Sequence, residues 1–203
     1  MRRVLHIISS PNTERSLSRR LGNSIIEKIY EKYPDSLLKE RDLAKSPFPH
    51  MTDTLINAFF TPNEERNREQ MDAIKISDEA ISELMEADII VFDVPMYNFS
   101  IPSTLKAYLD HVVRRNVTFK GVVVGTETVV EGLLKNKKAY LAFSSSGIYS
   151  EGSLQENDFS IPLMKAVLGW MGISDITAFR AEGISAFGEQ SALKKGIESI
   201  VIH

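Results

Sequence analysis

The sequence predicts a doubly wound α/β fold, a five-stranded parallel sheet with helices on both faces, and three observations predict it. Short apolar runs such as Val4–Ile8 and Ile89–Phe92 suit strands covered on both sides. Stretches with apolar residues every three or four positions separate them, and Pro, Gly, Asn and Ser cluster where one pattern gives way to the next.

Taken in order, Val4–Ile8 is the first strand, and Leu17, Leu21, Ile25 and Ile29 mark the buried face of a helix that ends before Pro34. Leu37–Leu43 carries many charges, as an edge strand does, and Pro47-Phe48-Pro49 marks a loop. A short helix is expected over Thr52–Phe60. A longer one follows over Asn63–Glu86 with Met71, Ile74, Ile81 and Met85 as its stripe, which Asp78 interrupts.

Ile89–Val94 is the central strand; Asp93 breaks its apolar run and needs a partner. Pro95 ends it, Met96, Tyr97, Asn98 and Phe99 form the loop, and Pro102 opens a helix with Leu105, Leu109 and Val112 inside and Lys106 and Asp110 outside. Val117–Val130, rich in β-branched residues around Gly125, reads as a hairpin excursion, an insertion at about residues 117–134. Lys138–Phe143 and Asp175–Ala181 are further strands, with helices over Phe159–Met171, stopped by Gly172, and Gln190–Val201, faced by Leu193, Ile197 and Val201. Right-handed crossovers then favour the flavodoxin-like strand order 2-1-3-4-5.

Composition narrows the function. A chain of 203 residues with 43% apolar and 25% charged residues is read as one domain with one sizeable core. Its 24 basic and 27 acidic residues give a net charge of -3, so no broad basic surface for nucleic acid is expected, and Arg114-Arg115 and Lys137-Lys138 read as solvated faces. There is no cysteine, which excludes disulfides and thiol chemistry and is compatible with a cytoplasmic setting. Met1-Arg2-Arg3 before Val4–Ile8 imitates a signal peptide, but the apolar run is too short, and no run reaches the length of a membrane span. Among the four histidines, His6 is expected in the core with its hydrogen bonds satisfied, and His50 and His111 at the surface. No metal-ligand spacing is present.

In the predicted order the first and third strands are neighbours, so the loops after Ile8 and Val94 face one crevice. The first loop offers Ser9, Ser10, Thr13, Ser16 and Ser18 at a helix N-terminus, a phosphate site without glycine or a Walker lysine; plain capping by Ser16 or Ser18 is the competing account. Tyr97 and Phe99 either anchor the core or grip a flat ring. Together the loops lay out a mononucleotide site, with Ser144, Ser145, Ser146 and Gly147 closing its far side and Gly147 bringing backbone close.

The motif VPMYNFSIPSTLKAYLD, the SSP…SLS loop, SSSG after the fourth sheet strand and AEGI after the fifth resemble the FMN-dependent NADH-azoreductase family essentially end to end. The resemblance implies a flavodoxin-like homodimer with one FMN per subunit, reducing quinones and aromatic azo compounds with NADH or NADPH by a ping-pong route. It assigns Ser10, Ser16, Leu17 and Ser18 to the FMN phosphate, Pro95, Met96, Tyr97, Asn98 and Phe99 to the ring, and Ser144–Gly147 to the ring edge. Phe119, Tyr149 and Trp170 become substrate-pocket candidates, Trp170 also reading as ordinary helix packing. Chemistry would reside at flavin N5, with no side-chain acid or base. Two departures stand out: Ser146 where the family has glycine, and Gly121 where its T-F-x-Y-T turn has tyrosine. A non-catalytic FMN-binding electron carrier or redox interaction module is the alternative; a carrier tends to present a strongly charged docking face, which this composition does not suggest.

Overall fold

The computed structural model describes residues 1–203. Seven strands form in chain order: β1 (Arg3–Ile8), β2 (Leu37–Asp42), β3 (Ile89–Pro95), β4 (Phe119–Val124), β5 (Glu127–Gly132), β6 (Lys138–Ser144) and β7 (Asp175–Ala181). Five make a parallel sheet of order β2-β1-β3-β6-β7, which is 2-1-3-4-5 counted over the sheet strands alone. β4 and β5 pair antiparallel as a separate hairpin. The charged strand β2 lies at the sheet edge, where Lys39 and Glu40 discourage pairing with another chain.

Side-chain alternation divides the core between the two faces of the sheet. Leu5, Ile7, Ile90, Phe92, Val94, Leu141 and Phe143 join a cluster of 26 buried residues beneath α3 (Arg68–Glu86), α4 (Ser103–Val112) and α5 (Ser160–Trp170). Val4, Val91, Tyr140 and Ala142 join a cluster of 15 beneath α1 (Leu17–Lys32) and α7 (Glu189–Glu198). The stripes predicted for α1 and α4 are buried as the spacing requires, and Lys106 and Asp110 pair outside at 2.5 Å.

Several expectations are corrected. The helix over Asn63–Glu86 is broken: a 3-10 turn, Asn63–Glu65, precedes α3, because Asn67 exchanges capping-box hydrogen bonds with Gln70 and restarts the chain. Met71 and Met85 are exposed; the buried face of α3 runs through Ile74, Ala80, Ile81 and Leu84. The final helix stops at Glu198 and leaves Val201 exposed. Short α2 (Asp53–Phe60) forms where expected, whereas α6 (Ile184–Phe187) and a 3-10 turn over Gly152–Asn157 had no periodic signal.

Three groups read as surface are buried or half-buried. His111 is buried, its Nε2 2.9 Å from the Pro49 carbonyl and its ring edge-on to Phe48, and burial holds its pKa below the usual value. Arg114 is buried because its guanidinium reaches Asp78 at 2.5 Å and Ser77 at 3.0 Å and lies 4.9 Å from the Phe59 ring, which also explains Asp78 in the apolar stripe. Lys137 is half-buried and donates to the carbonyls of Met85 and Ala87.

Glu83 ties α3 to the edge strand, accepting from Arg41 at 2.5 and 2.6 Å and from Lys39 at 3.0 Å. Burial alone would raise its pKa, but those hydrogen bonds outweigh it and hold the carboxyl below the usual range. A depressed pKa contributes stability above the unfolded value that is lost as pH falls through the folded one. Glu83→Gln is therefore expected to cost about 1–2 kcal/mol at pH 7 and progressively less as pH falls below the usual carboxylate range, read by urea melts over that range.

Candidate functional site

The crevice opens at the carboxyl ends of β1, β3 and β6. Its first wall is the β1–α1 loop. Asn12 accepts from the N–H groups of Glu14 and Arg15, folding the loop back, and Ser16 caps α1 by accepting from the Arg19 N–H at 3.3 Å. The capping account is thus correct for Ser16. It leaves the N–H groups of Leu17 and Ser18, in the first turn, without intrahelical partners. Ser10, Ser16, Leu17 and Ser18 are all buried there, and Ser18 meets Ser16 hydroxyl to hydroxyl at 3.0 Å. The Ser10 hydroxyl has only a 3.5 Å contact with the Asn12 carbonyl, at the limit of a hydrogen bond. A buried hydroxyl so poorly matched, beside free N–H groups at a positive helix end, fits a phosphate.

Arg19 organises this wall and had no motif to announce it. Its guanidinium donates to the Ser10 carbonyl at 2.6 and 3.1 Å and forks onto Asp42 at 2.8 and 3.0 Å, pinning loop to edge strand.

The second wall is Pro95–Phe99. Tyr97 and Ser100 exchange both backbone hydrogen bonds, at 2.9 and 3.1 Å, closing a two-residue turn in which Asn98 (φ 47°) and Phe99 (φ 71°) are both left-handed. Asparagine tolerates this; phenylalanine does not, so its backbone is strained. Tyr97 and Phe99 are 44% and 47% exposed, so neither is a core anchor. Two half-exposed rings on a strained, tightly hydrogen-bonded turn fit a clamp on a flat ligand. Pro95 is buried and Met96 half-buried at its base.

Hydrogen bonds stitch the walls together. Ser9 donates to the Asp93 carbonyl at 2.6 Å, Thr104 to the Ser9 carbonyl at 3.3 Å, and the Met96 N–H to the Ser144 carbonyl at 2.8 Å. Beyond β6, Ser144 and Ser145 are buried, while Ser146 is exposed with its hydroxyl 2.5 Å from that of Ser185. A cavity of about 550 Å³ adjoins Ser146, Gly147, Leu154, Gly183 and Ser185. A Cβ at Gly147 would lie 2.9 Å from Leu154 and 3.1 Å from Tyr149, so its missing side chain makes room for theirs. Glu182 accepts from the N–H groups of Tyr149 and Ser150 and from the Ser150 hydroxyl, fixing that loop.

The substrate candidates divide. Tyr149 lies edge-on to Phe99 at 6.4 Å, against the second wall. Phe119 and Trp170 instead pair with each other at 5.7 Å, at the base of the hairpin, with Trp170 48% exposed. No group of three or more His, Cys, Asp and Glu side chains is placed to hold a metal ion, and no helix is long and apolar enough to cross a membrane.

A family model described as "Flavodoxin-like fold" matches residues 2–201. The FMN-dependent NADH:quinone oxidoreductase of Herminiimonas arsenicoxydans is 42% identical over 98% of this chain and 97% of its own. The chain belongs to this flavodoxin-like family. Among solved structures, an azoreductase from Bacillus anthracis str. Sterne superposes with a TM-score of 0.87 at 27% identity, over 98% of this chain and 96% of that one. An FMN-dependent NADH-azoreductase from Bacillus anthracis str. Ames Ancestor, in complex with FMN, superposes at 0.85 with 25% identity, covering 98% and 95%. This family member thus shares chain length and architecture with flavoenzymes from end to end.

Proposed function

We propose that the chain is an FMN-dependent oxidoreductase that moves two electrons from NADH, or NADPH, to quinones and aromatic azo compounds. The observation that carries this is the pairing, on adjacent strands, of a serine-lined helix N-terminus with a strained turn bearing Tyr97 and Phe99. Relatives named FMN-dependent NADH:quinone oxidoreductase, at about 40% identity, support the cofactor, donor and quinone. Structural neighbours named azoreductases support the azo compounds.

In this reading Ser10, Ser16 and Ser18, with the N–H groups of α1, hold the phosphate. Pro95–Phe99 would hold the ring and Ser144–Gly147 would meet its edge. When bound, FMN supplies the hydride chemistry. With FMN bound, the protein would take donor and acceptor in turn into one pocket, which would make the kinetics ping-pong; Tyr149, beside Phe99, would form part of its wall. A second copy of the chain completes the site with Phe119 and Trp170, since Trp170, Val123 and Val124 expose apolar surface that a monomer leaves wet. The setting is cytoplasmic, where reduced nicotinamides are at hand.

The test begins with an absorption spectrum of the FMN-reconstituted protein. NADH added without oxygen should bleach the flavin band, and a quinone should restore it. Bound flavin that neither NADH nor NADPH bleaches would replace the enzyme with an electron carrier. Asn98 offers a sharper local test. Asn98→Gly keeps the left-handed turn and removes the amide, and is expected to weaken FMN retention several-fold; a glycine variant that holds flavin as the parent does would remove that side chain from the site.

A further inference from the structure

Beneath the phosphate wall lies a pair of ionisable groups that the proposed reaction does not use. His6 on β1 and Asp93 on β3 have no exposed surface and meet through Nε2 and Oδ1 at 2.8 Å. The other atom of each, Nδ1 of His6 and Oδ2 of Asp93, has no hydrogen-bond partner. α1 closes over them at Gly22, where a Cβ would lie 2.0 Å from Asp93 Oδ1 and 2.8 Å from His6 Nε2.

The pair is mechanically joined to the site, since the Asp93 carbonyl accepts the Ser9 hydroxyl at 2.6 Å. Gly22 is the sixth residue of α1, which places the pair roughly 8 Å along the axis from the helix N-terminus. We propose that His6 and Asp93 are positioning residues for the cofactor phosphate, coupling FMN retention to one proton shared beneath the loop. This rests on the FMN reading above.

The argument is electrostatic. With a proton on the pair, whether on the ring or the carboxyl, its net charge is zero; without it, one buried negative charge faces the phosphate. The neighbouring charges do not cancel it. Arg19 and Asp42 neutralise each other, and Glu40 on β2, 3.7 Å from His6 Nδ1 and largely exposed, adds screened negative charge. Burial pushes the Asp93 carboxyl up and the hydrogen bond from His6 opposes it, so the buried site resists a lone negative charge. At this separation a unit charge changes the affinity for a phosphate dianion by about tenfold. FMN should therefore bind more weakly as pH rises through the loss of that proton. By linkage, bound FMN should raise the affinity of the pair for it.

The experiment is calorimetric titration of FMN into the flavin-stripped protein at pH 8, in buffers of different ionisation enthalpy. At that pH the phosphate is already a dianion, so proton uptake belongs to the protein. A fractional uptake of up to about half a proton per FMN is expected, together with a weakening of about tenfold in all across the pH range in which that proton is lost. Asp93→Asn should abolish the uptake and flatten that dependence. No uptake by the parent, or equal uptake by the variant, overturns the proposal while FMN binding stands; failure to bind FMN at any pH overturns the functional reading with it. If Asp93→Asn does not fold by circular dichroism, the parent decides alone: its affinity for FMN must fall as pH rises and proton uptake must accompany binding, and the absence of either overturns the proposal.

Discussion

Gly22→Ala is expected to lower stability by about 3–5 kcal/mol and the melting temperature by on the order of 10 °C, although it adds one methyl group to a helix. By propensity alone alanine would improve α1. Packing reverses the sign. The new Cβ would fall 2.0 Å from Asp93 Oδ1, and neither neighbour can retreat, because both side chains are enclosed between α1 and the central strands. Relief requires breaking the His6–Asp93 hydrogen bond or lifting α1, and either leaves a buried polar group unpaired. The mechanism is checked by a double-mutant cycle. Asp93→Ala empties the space the methyl needs, so adding Gly22→Ala to it should cost clearly less than in the parent. Additive losses would show that the helix, and not the buried pair, sets the requirement for glycine.

The same pair marks where sequence reading stops. The uninterrupted apolar run before Asp93 announces a buried strand, and the four-residue spacing from Leu17 to Ile29 announces the face of α1, because both signals are local and repeat. That Asp93 needs a partner was also legible; that the partner is His6, 87 positions away, depends on two strands becoming neighbours. Arg114 shows the opposite failure. Two adjacent arginines look like a solvated surface, yet α3 brings Asp78 and Ser77 to one of them and α2 brings the ring of Phe59. In the site, the serine loop and the aromatic loop were visible as residue types in the right topological places. Arg19, which fixes the first loop, was not: a single arginine in a helix has no local mark that distinguishes a loop clamp from a surface charge. Nor could the left-handed backbone at Phe99 be read, since bulky residues avoid it and nothing in the spelling warns of an exception.

That exception supplies the second large effect. Phe99→Gly is expected to leave the flavin-free protein as stable as the parent, or up to about 1 kcal/mol more stable, while weakening FMN binding by tenfold or more. A bulky residue at φ 71° carries strain of about 1–3 kcal/mol, which glycine does not. Against this stand the roughly 0.5–1 kcal/mol of backbone entropy that glycine loses on folding and the contact with Tyr149 at 6.4 Å, modest because Phe99 is already 47% exposed. The turn itself survives, since its hydrogen bonds join the backbones of Tyr97 and Ser100. Thermal melts of the flavin-free variant and fluorescence titration with FMN read the two effects separately. A variant that melts several degrees lower yet binds FMN unchanged would make Phe99 a packing residue and remove the aromatic clamp from the site. Opposite signs would identify a side chain retained against the preference of its own backbone, and ligand binding then supplies the reason that packing does not.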